Sequence, residues 1–426
     1  MALATAELEI RTLESHGEDS RLFPALARLI ADAYPIMGRN TTAALAEHTA
    51  ELPEIVGRAG TRCVIAQRNG VLVGAMRLYD FQMNVRGTDT LTGGVGSVAI
   101  SLAHKRQGIA RALLAWYLNH YRARNAPFAI LHPFRPDFYR AIGFGYGTPA
   151  HRFRFAPATL RDGGARGAIR FLDANDTAAL IACDERVRAR THGLIAKHRV
   201  AAERLLADVA LRYVGVEEGG ELRAFMQTSA AVGGERMRNA DELIVRDLTY
   251  EDEASLAALL GYLRSQRDQF ARVVVESQDD AFYLAADDPR DGSDLAVAPP
   301  ATHRVAETGL GVMYRILDVP AALATLPAFG ARLTLRIAVA DAFSAETAGT
   351  WTFCFDPQAR PRHDDGARPD ATLTIGIADL SSVVLGSLQL RDVVAHRLAK
   401  VEPADTLALV DAAFRAEQPP VCTTRF

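Results

Sequence analysis

The stretch Ser97-Val98-Ala99-Ile100-Ser101-Leu102-Ala103-His104-Lys105-Arg106-Gln107-Gly108-Ile109-Ala110-Arg111-Ala112-Leu113-Leu114 constrains this chain more than any other. Its first half alternates apolar and small residues and predicts a strand. Its second half spaces Ile109, Leu113 and Trp116 or Tyr117 as one face of a helix. The turn between them is basic, and Gly108 and Ala110 leave room for a bulky polyanion to reach the free N–H groups of the helix's first turn. The helix dipole and the charges of Lys105, Arg106 and Arg111 favour a phosphate there. Taken alone, the same residues also suit a solvated surface turn.

A chain of 426 residues has material for two to four domains. With 48 Lys and Arg against 51 Asp and Glu the net charge is -3, so no global field directs it to nucleic acid or to a membrane, and a local basic turn is the more telling. Cys63, Cys183, Cys354 and Cys422 lie far apart without paired spacing, which argues against a disulfide framework and against a zinc site. They read as small buried hydrophobes, and no metal is expected. The first nine residues lack the basic start and apolar run of a signal peptide, and no run of about 20 apolar residues offers a membrane span. The expectation is a cytoplasmic chain.

In order, residues 7–13 alternate as a strand, residues 21–34 carry helical spacing stopped by Pro35, and Asn40-Thr41-Thr42 caps a second helix to about residue 52. Residues 62–67 and 71–79 flank Asn69-Gly70, a strong hairpin signal. After the opening strand and helix come a short buried strand at 127–132 and the segment Arg135-Pro136-Asp137-Phe138-Tyr139-Arg140-Ala141-Ile142-Gly143-Phe144-Gly145-Tyr146-Gly147. This order, the frame Lys105, Gly108 and Ala110, and the pair Phe138-Tyr139 followed by Gly143-Phe144 resemble the GCN5-related N-acetyltransferases, the GNAT superfamily. The resemblance implies that Lys105, Arg106, Gln107, Gly108, Ile109 and Ala110 cradle the pyrophosphate of acetyl-CoA. It implies further that the backbone of Val98, Ala99 and Ile100, on a splayed strand, holds the pantetheine arm and polarises the thioester carbonyl. Tyr139 is then the candidate general acid: acyl transfer expels a thiolate, and a phenol of ordinary pKa about 10 can lend it a proton.

Residues 168–286 repeat the pattern, with a late strand at 243–248 and a helix near 254–263. The turn between, Thr249-Tyr250-Glu251-Asp252-Glu253, is acidic and lacks glycine, so this second unit is expected not to bind coenzyme A in the usual way. Linkers are expected at 161–167, 287–294 and Pro299-Pro300. A third unit is expected to begin with Val312-Met313-Tyr314-Arg315-Ile316-Leu317-Asp318-Val319. Strands follow at 332–340, 349–355 and 371–377, and helices at 378–385, 390–398 and 406–415. It resembles a sterol-carrier-protein-like domain. The fold expected is mixed α/β and α+β: tandem GNAT-type domains at 1–150 and 151–295, then a sterol-carrier-protein-like α+β domain at 296–426.

This arrangement resembles the Eis (enhanced intracellular survival) acetyltransferases over nearly the whole chain, most specifically at residues 313–323 and in the run from Tyr139 to Gly147. The resemblance implies that the terminal carboxylate, here on Phe426, serves as base. Pro419-Pro420 ends the last helix and projects Val421-Cys422-Thr423-Thr424-Arg425-Phe426, which has the composition of a strand that docks. A carboxylate of pKa about 3.5 cannot strip an ammonium of pKa about 10 in the ground state; it orients the cation and accepts the proton as the tetrahedral adduct makes the nitrogen acidic. The implied activity is direct, metal-free transfer from acetyl-CoA to a primary amine of a cationic small molecule, aminoglycosides leading, by a homo-oligomer that the resemblance makes a hexamer. Arg425 beside the base places a positive charge where a polycation would sit. Polyamines or protein lysines are the alternative acceptors. A lipid or acyl-CoA binding protein, with an apolar tunnel in residues 301–426, is the alternative of another class.

Overall fold

The structure, a computed structural model, describes residues 7–163, 168–231, 242–292, 296–298 and 302–426. The expected linker positions 164–167, 293–294 and Pro299-Pro300 lie outside the described residues, as does the start of the chain to residue 6.

The first unit runs β1 (Leu8–Thr12), α1 (Phe23–Ala33), α2 (Thr42–Val56), β2 (Thr61–Arg68), β3 (Val71–Val85), β4 (Thr88–Ile100), α3 (Ile109–Arg122), β5 (Phe128–Leu131), α4 (Pro136–Arg140) and β6 (Gly145–Tyr146). Asn69 and Gly70 both take positive φ, 52° and 75°, as the two-residue hairpin between β2 and β3 requires. In α3 the buried face is Ile109, Leu113, Leu114, Tyr117, Leu118 and Tyr121, so Tyr117 and not Trp116 continues the apolar stripe.

The second unit runs β7 (Ala150–Phe155), β8 (Ile169–Leu172), α5 (Thr177–Arg188), α6 (Arg199–Ala207), β9 (Arg212–Glu218), β10 (Glu221–Ala231), β11 (Glu242–Tyr250), α7 (Glu253–Ser265) and β12 (Arg272–Ser277). It repeats the first in a specific detail. Strand β4 pairs antiparallel with β3 and parallel with β5, and β11 pairs antiparallel with β10 and parallel with β12. Each central strand carries a bulge centred on a residue of φ 51°, Ser97 in β4 and Asp247 in β11. A non-glycine residue at positive φ is uncommon, and its recurrence at one place in both halves is the structural signature of duplication.

A small hairpin of β13 (Ala296–Ala298) and β14 (Thr302–His303) precedes β15 (Ala306–Gly309) and β16 (Met313–Ile316). Here the structure corrects the sequence reading. Strand β16, expected to open the third unit, lies in the first sheet between β5 and β6, and β15 forms an edge of the second sheet beside β7. An apolar run announces a buried strand but not its partner, so chain order misplaced β16, while β15, largely exposed and without an apolar run, carries no strand signal.

The third unit comprises α8 (Val319–Leu323), β17 (Leu333–Ala340), β18 (Gly349–Asp356), β19 (Ala359–His363), β20 (Ala371–Gly376), α9 (Ile377–Leu385), α10 (Leu390–Ala395), β21 (Ala399–Glu402) and α11 (Leu407–Phe414). Its sheet order is β19-β18-β17-β20-β21. All nine residues of α9 are buried. One apolar core joins Phe128, Ile130 and Ile316 of the first sheet to Leu335, Leu373 and Leu380 of the third unit. At about 1.5–3 kcal/mol for each large apolar side chain buried, this junction is packed like a domain interior and holds the two units in fixed relation. No described helix is long and apolar enough to cross a bilayer.

Candidate active site

The basic turn stands exposed. Lys105, Arg106, Gln107 and Gly108 all face solvent, Ile109 is buried as the anchor of α3, and Ala110 is half-buried. Arg106 (φ 61°) and Gly108 (φ 79°) are both left-handed, and Gly108 occupies the N-cap of α3 without any side-chain bond to the first-turn N–H groups. A Cβ on Gly108 would meet nothing within 4 Å. Gln107 Oε1 accepts from Arg68 Nη1 at 2.6 Å, which brings a further cation to the turn. The donors and charges suit a pyrophosphate. The matching turn of the second unit is filled by its own chain: Asp252 accepts from Ser255 N at 2.8 Å and caps α7, while Glu251 is held by Arg186 and Arg223. A phosphate is therefore excluded there by an occupied helix end more than by free negative charge.

Beyond Val95 strand β4 loses its neighbour, because β5 ends at Leu131. Residues 96–100 thus border an opening on that side, with Val98 and Ile100 half-buried and Ala99 buried. The Tyr34 hydroxyl donates to Val98 O at 3.0 Å. Tyr139, on the single turn of α4, is buried among Phe138 and Phe144. Burial pushes its phenol up to about 12, with a smaller contribution from the neighbouring phenol of Tyr34.

The chain's last residues reach this opening from the far side. They dock as expected, but as extended chain outside any sheet, held one bond at a time by several elements. Thr148 Oγ1 donates to Pro420 O at 2.6 Å, Val421 N to His192 O at 2.8 Å, and Cys422 N to Gln278 Oε1 at 2.6 Å. His132, just past β5, pairs its Nε2 with Thr424 O at 3.1 Å. Desolvation first and then the charge of Arg425 lower the His132 pKa against the pull of that carbonyl, so the ring is neutral at pH 7 and its Nε2–H is the donor. The Phe426 phenyl lies among Tyr79, Phe81 and His132, at ring-centre distances of 5.4, 4.9 and 4.8 Å. Its carboxyl carbon lies 3.2 Å from the point a Cβ on Gly96 would occupy. The carboxylate thus borders the same segment of β4 as the Tyr34 hydroxyl.

A cleft of about 450 Å³ opens here between the two GNAT-like units, lined among others by His132, Asp247, Glu276, Gln278 and Phe426. Asp247, at the bulge of β11, is held by Lys197 Nζ at 2.7 Å; that ammonium also reaches Asp184, whose carboxyl burial pushes up to about 6. Glu276 pairs with Arg246 and with Arg425, so the positive charge of Arg425 is matched by a carboxylate from the second unit. The sequence motifs name the basic turn and Tyr139, and the family resemblance names Phe426. They missed Tyr34, Gly96, His132, Asp247 and Glu276, which no spacing links and which only the meeting of three units brings together. Among the described residues no group of three or more His, Cys, Asp or Glu stands where it could hold a metal ion.

Comparison with known proteins agrees with this anatomy. Residues 20–147 and residues 187–316 each match a model of the acetyltransferase (GNAT) domain, and residues 319–423 match the sterol carrier protein domain. An uncharacterized N-acetyltransferase of Streptomyces coelicolor is 26% identical over 368 residues, covering 82% of this chain and 84% of that one. A GCN5-related N-acetyltransferase from Kribbella flavida superposes with a TM-score of 0.78 at 21% identity, covering 99% of both chains. Eis1 from Mycobacterium abscessus superposes with a TM-score of 0.75 at 22% identity, covering 99% of this chain and 100% of that one. At those identities the structural likeness speaks for the fold, and the two GNAT matches, which together span more than half of the chain, speak for the enzyme class and its use of acetyl-CoA. The chain belongs to the GNAT acetyltransferases and carries a sterol carrier protein domain at its C-terminal end.

Proposed function

We propose that the chain transfers the acetyl group of acetyl-CoA directly to a primary amine of a cationic small molecule, of aminoglycoside type by its Eis-like resemblance. In this reading residues 105–110 hold the pyrophosphate, and the N–H groups of Val98, Ala99 and Ile100 hold the pantetheine arm and the thioester carbonyl. The amine nitrogen attacks the acetyl carbon, its proton passes to the Phe426 carboxylate directly or through one water, and the carbon–sulfur bond breaks. Tyr139 stabilises the departing thiolate by its hydrogen bond, and the proton it yields to the sulfur is regained from solvent by the strongly basic phenolate. A phenol near 12 is a weaker acid than a free thiol, so Tyr139 first donates a hydrogen bond to the sulfur and yields its proton as negative charge builds there.

The observation that carries the reading is the placement of the Phe426 carboxyl against Gly96, at the point where β4 stands free of β5. Asp247 and Glu276 line the same cleft, each paired with cations of the chain, Asp247 with Lys197 and Glu276 with Arg246 and Arg425, and the pairing of Arg425 with Glu276 answers the objection that Arg425 repels a polycation. The third unit packs its apolar side chains in one cluster with those of the first sheet, as a structural partner of the acetyl-transfer unit.

The test is thiol release from acetyl-CoA with an aminoglycoside, a polyamine and a lysine peptide, using the native chain and a form extended by two glycines after Phe426. Turnover by the native chain with the aminoglycoside, and its loss on extension, is the expected result. Equal activity of the extended form removes the terminal carboxylate from the mechanism; preference for the polyamine or the peptide reassigns the acceptor.

A further inference from the structure

We propose that Arg140 and Arg315 are positioning residues for Tyr139, and that the third unit, which anchors both through Asp379 and Asp341, is a working part of the acetyl-transfer site. This rests on the reading of Tyr139 as the acid.

Helix α4 has five residues, a single turn, and a helix so short has no stability of its own. The direction of the Tyr139 ring is therefore set by whatever grips the turn from outside. Two arginines do so, and both are tied to the third unit. Arg140, the next residue, forms a two-pronged pair with Asp379 in the first turn of α9, at 2.7 and 3.2 Å, with its guanidinium 4.9 Å above the Tyr146 ring. Forked geometry of this kind fixes angle as well as distance.

Arg315, on β16, is completely buried and donates to Ile142 O at 2.5 Å, within the turn that returns from Tyr139. That turn is closed on the tyrosine itself, since Ile142 N and Phe144 N both donate to Tyr139 O. Its other amino group donates to Asp341 at 2.5 Å and to Thr347 at 3.3 Å. Gly143 has φ 85°, and a Cβ there would overlap the Arg315 guanidinium, so the turn is shaped around this cation.

The loop that carries Asp341 and Thr347 also grips α3. Phe343 lies under the Arg111 guanidinium at 4.5 Å, and Ser344 Oγ accepts from Arg122 at 2.9 Å. One loop of the third unit thus touches both the helix that starts at the pyrophosphate turn and the residues that hold Tyr139. The relative placement of those two parts decides whether the phenol meets the sulfur, and a displacement of about 1 Å can cost about a hundredfold in rate.

The test uses the full-length chain with Arg140→Gln and Asp379→Asn, each made with Tyr139 and with Tyr139→Phe. The Arg140 pair is chosen because its arginine is partly solvent-exposed, whereas both partners of the Arg315 pair are wholly buried and breaking it endangers the fold. With circular dichroism and Tm showing a folded chain, each variant should lose about tenfold in kcat while KM for acetyl-CoA stays within about twofold. Arg140→Lys should recover part of the loss. In the Tyr139→Phe background neither variant should lose more, because the group being positioned is gone. A native kcat in the folded variants, or an equal further loss in the Tyr139→Phe background, overturns the proposal. Native turnover by Tyr139→Phe alone removes the acid reading itself, an outcome read from that single variant, and the positioning proposal goes with it.

Discussion

The carboxyl carbon of Phe426 stands 3.2 Å, and its oxygen 3.3 Å, from where a Cβ on Gly96 would be. Gly96 does not take a positive φ, so only space is at stake there. A methyl group would press the terminus back by a few tenths of an ångström, and a branched side chain by more. Gly96→Val is expected to lower kcat at least tenfold, with Gly96→Ala in between and KM for acetyl-CoA little changed, since proton acceptance depends on position. Steady-state kinetics with a fixed amine decide it; a native kcat for Gly96→Val would mean that the carboxylate does not act from this spot.

Tyr139→Phe removes one hydroxyl from a buried aromatic site and is expected to lower kcat by about two orders of magnitude with little change in KM. Burial pushes the phenol up to about 12, so it stays protonated throughout the working range. The pH profile of kcat should therefore rise as the amine loses its proton and show no alkaline decline below pH of about 11. An alkaline limb centred near pH 9 that disappears in Tyr139→Phe would contradict the buried, protonated phenol.

What the sequence revealed follows from what is local. The basic turn, the Asn69-Gly70 hairpin and the face of α3 are each written within some twenty consecutive residues, and the chain folds there as its pattern dictates. The strand β16 was legible as a strand, yet its partners are β5 and β6, and no local pattern names a partner. Strand β19 escaped notice because four of its five residues are exposed, leaving no apolar alternation. The site itself is the least local feature. His132 meets Thr424 across 292 positions, and Arg425 meets Glu276 across 149. Arg425 looked like an obstacle to a polycation only while its carboxylate partner, on another unit, was out of view.

That partner offers a separate measurement. Glu276→Gln leaves both Arg425 and Arg246 without this carboxylate at the mouth of the cleft while preserving side-chain size. The ion pair is partly exposed, so its loss should change stability little, by about 1 kcal/mol or less. Binding is where the charge should tell. KM for a tricationic acceptor is expected to rise about fivefold, KM for a monoamine to stay near native, and the difference to shrink as salt is raised through 0.15 M. Equal rises for both acceptors would point to a distorted cleft instead of an electrostatic one.

The docking of the terminus should depend on His132 in a defined direction. Its ring is neutral when Nε2–H donates to Thr424 O, and desolvation together with Arg425 keeps its pKa below the ordinary imidazole value of about 6.5. A depressed value means that the docked form resists protonation. Docking is therefore at full strength above pH of about 6.5, where the free ring is neutral too, and weakens as pH falls below it, because the undocked ring takes up its proton first. His132 is exposed to solvent, which moderates the effect. Release of Phe426 by a carboxypeptidase selective for aromatic ends reports the undocked fraction. Relative to a His132→Gln control at each pH, the native chain should be protected at pH 7.5 and lose that protection toward pH 5.5. Protection that stays constant over this range, or that strengthens on acidification, would show that His132 does not hold the terminus in its neutral form.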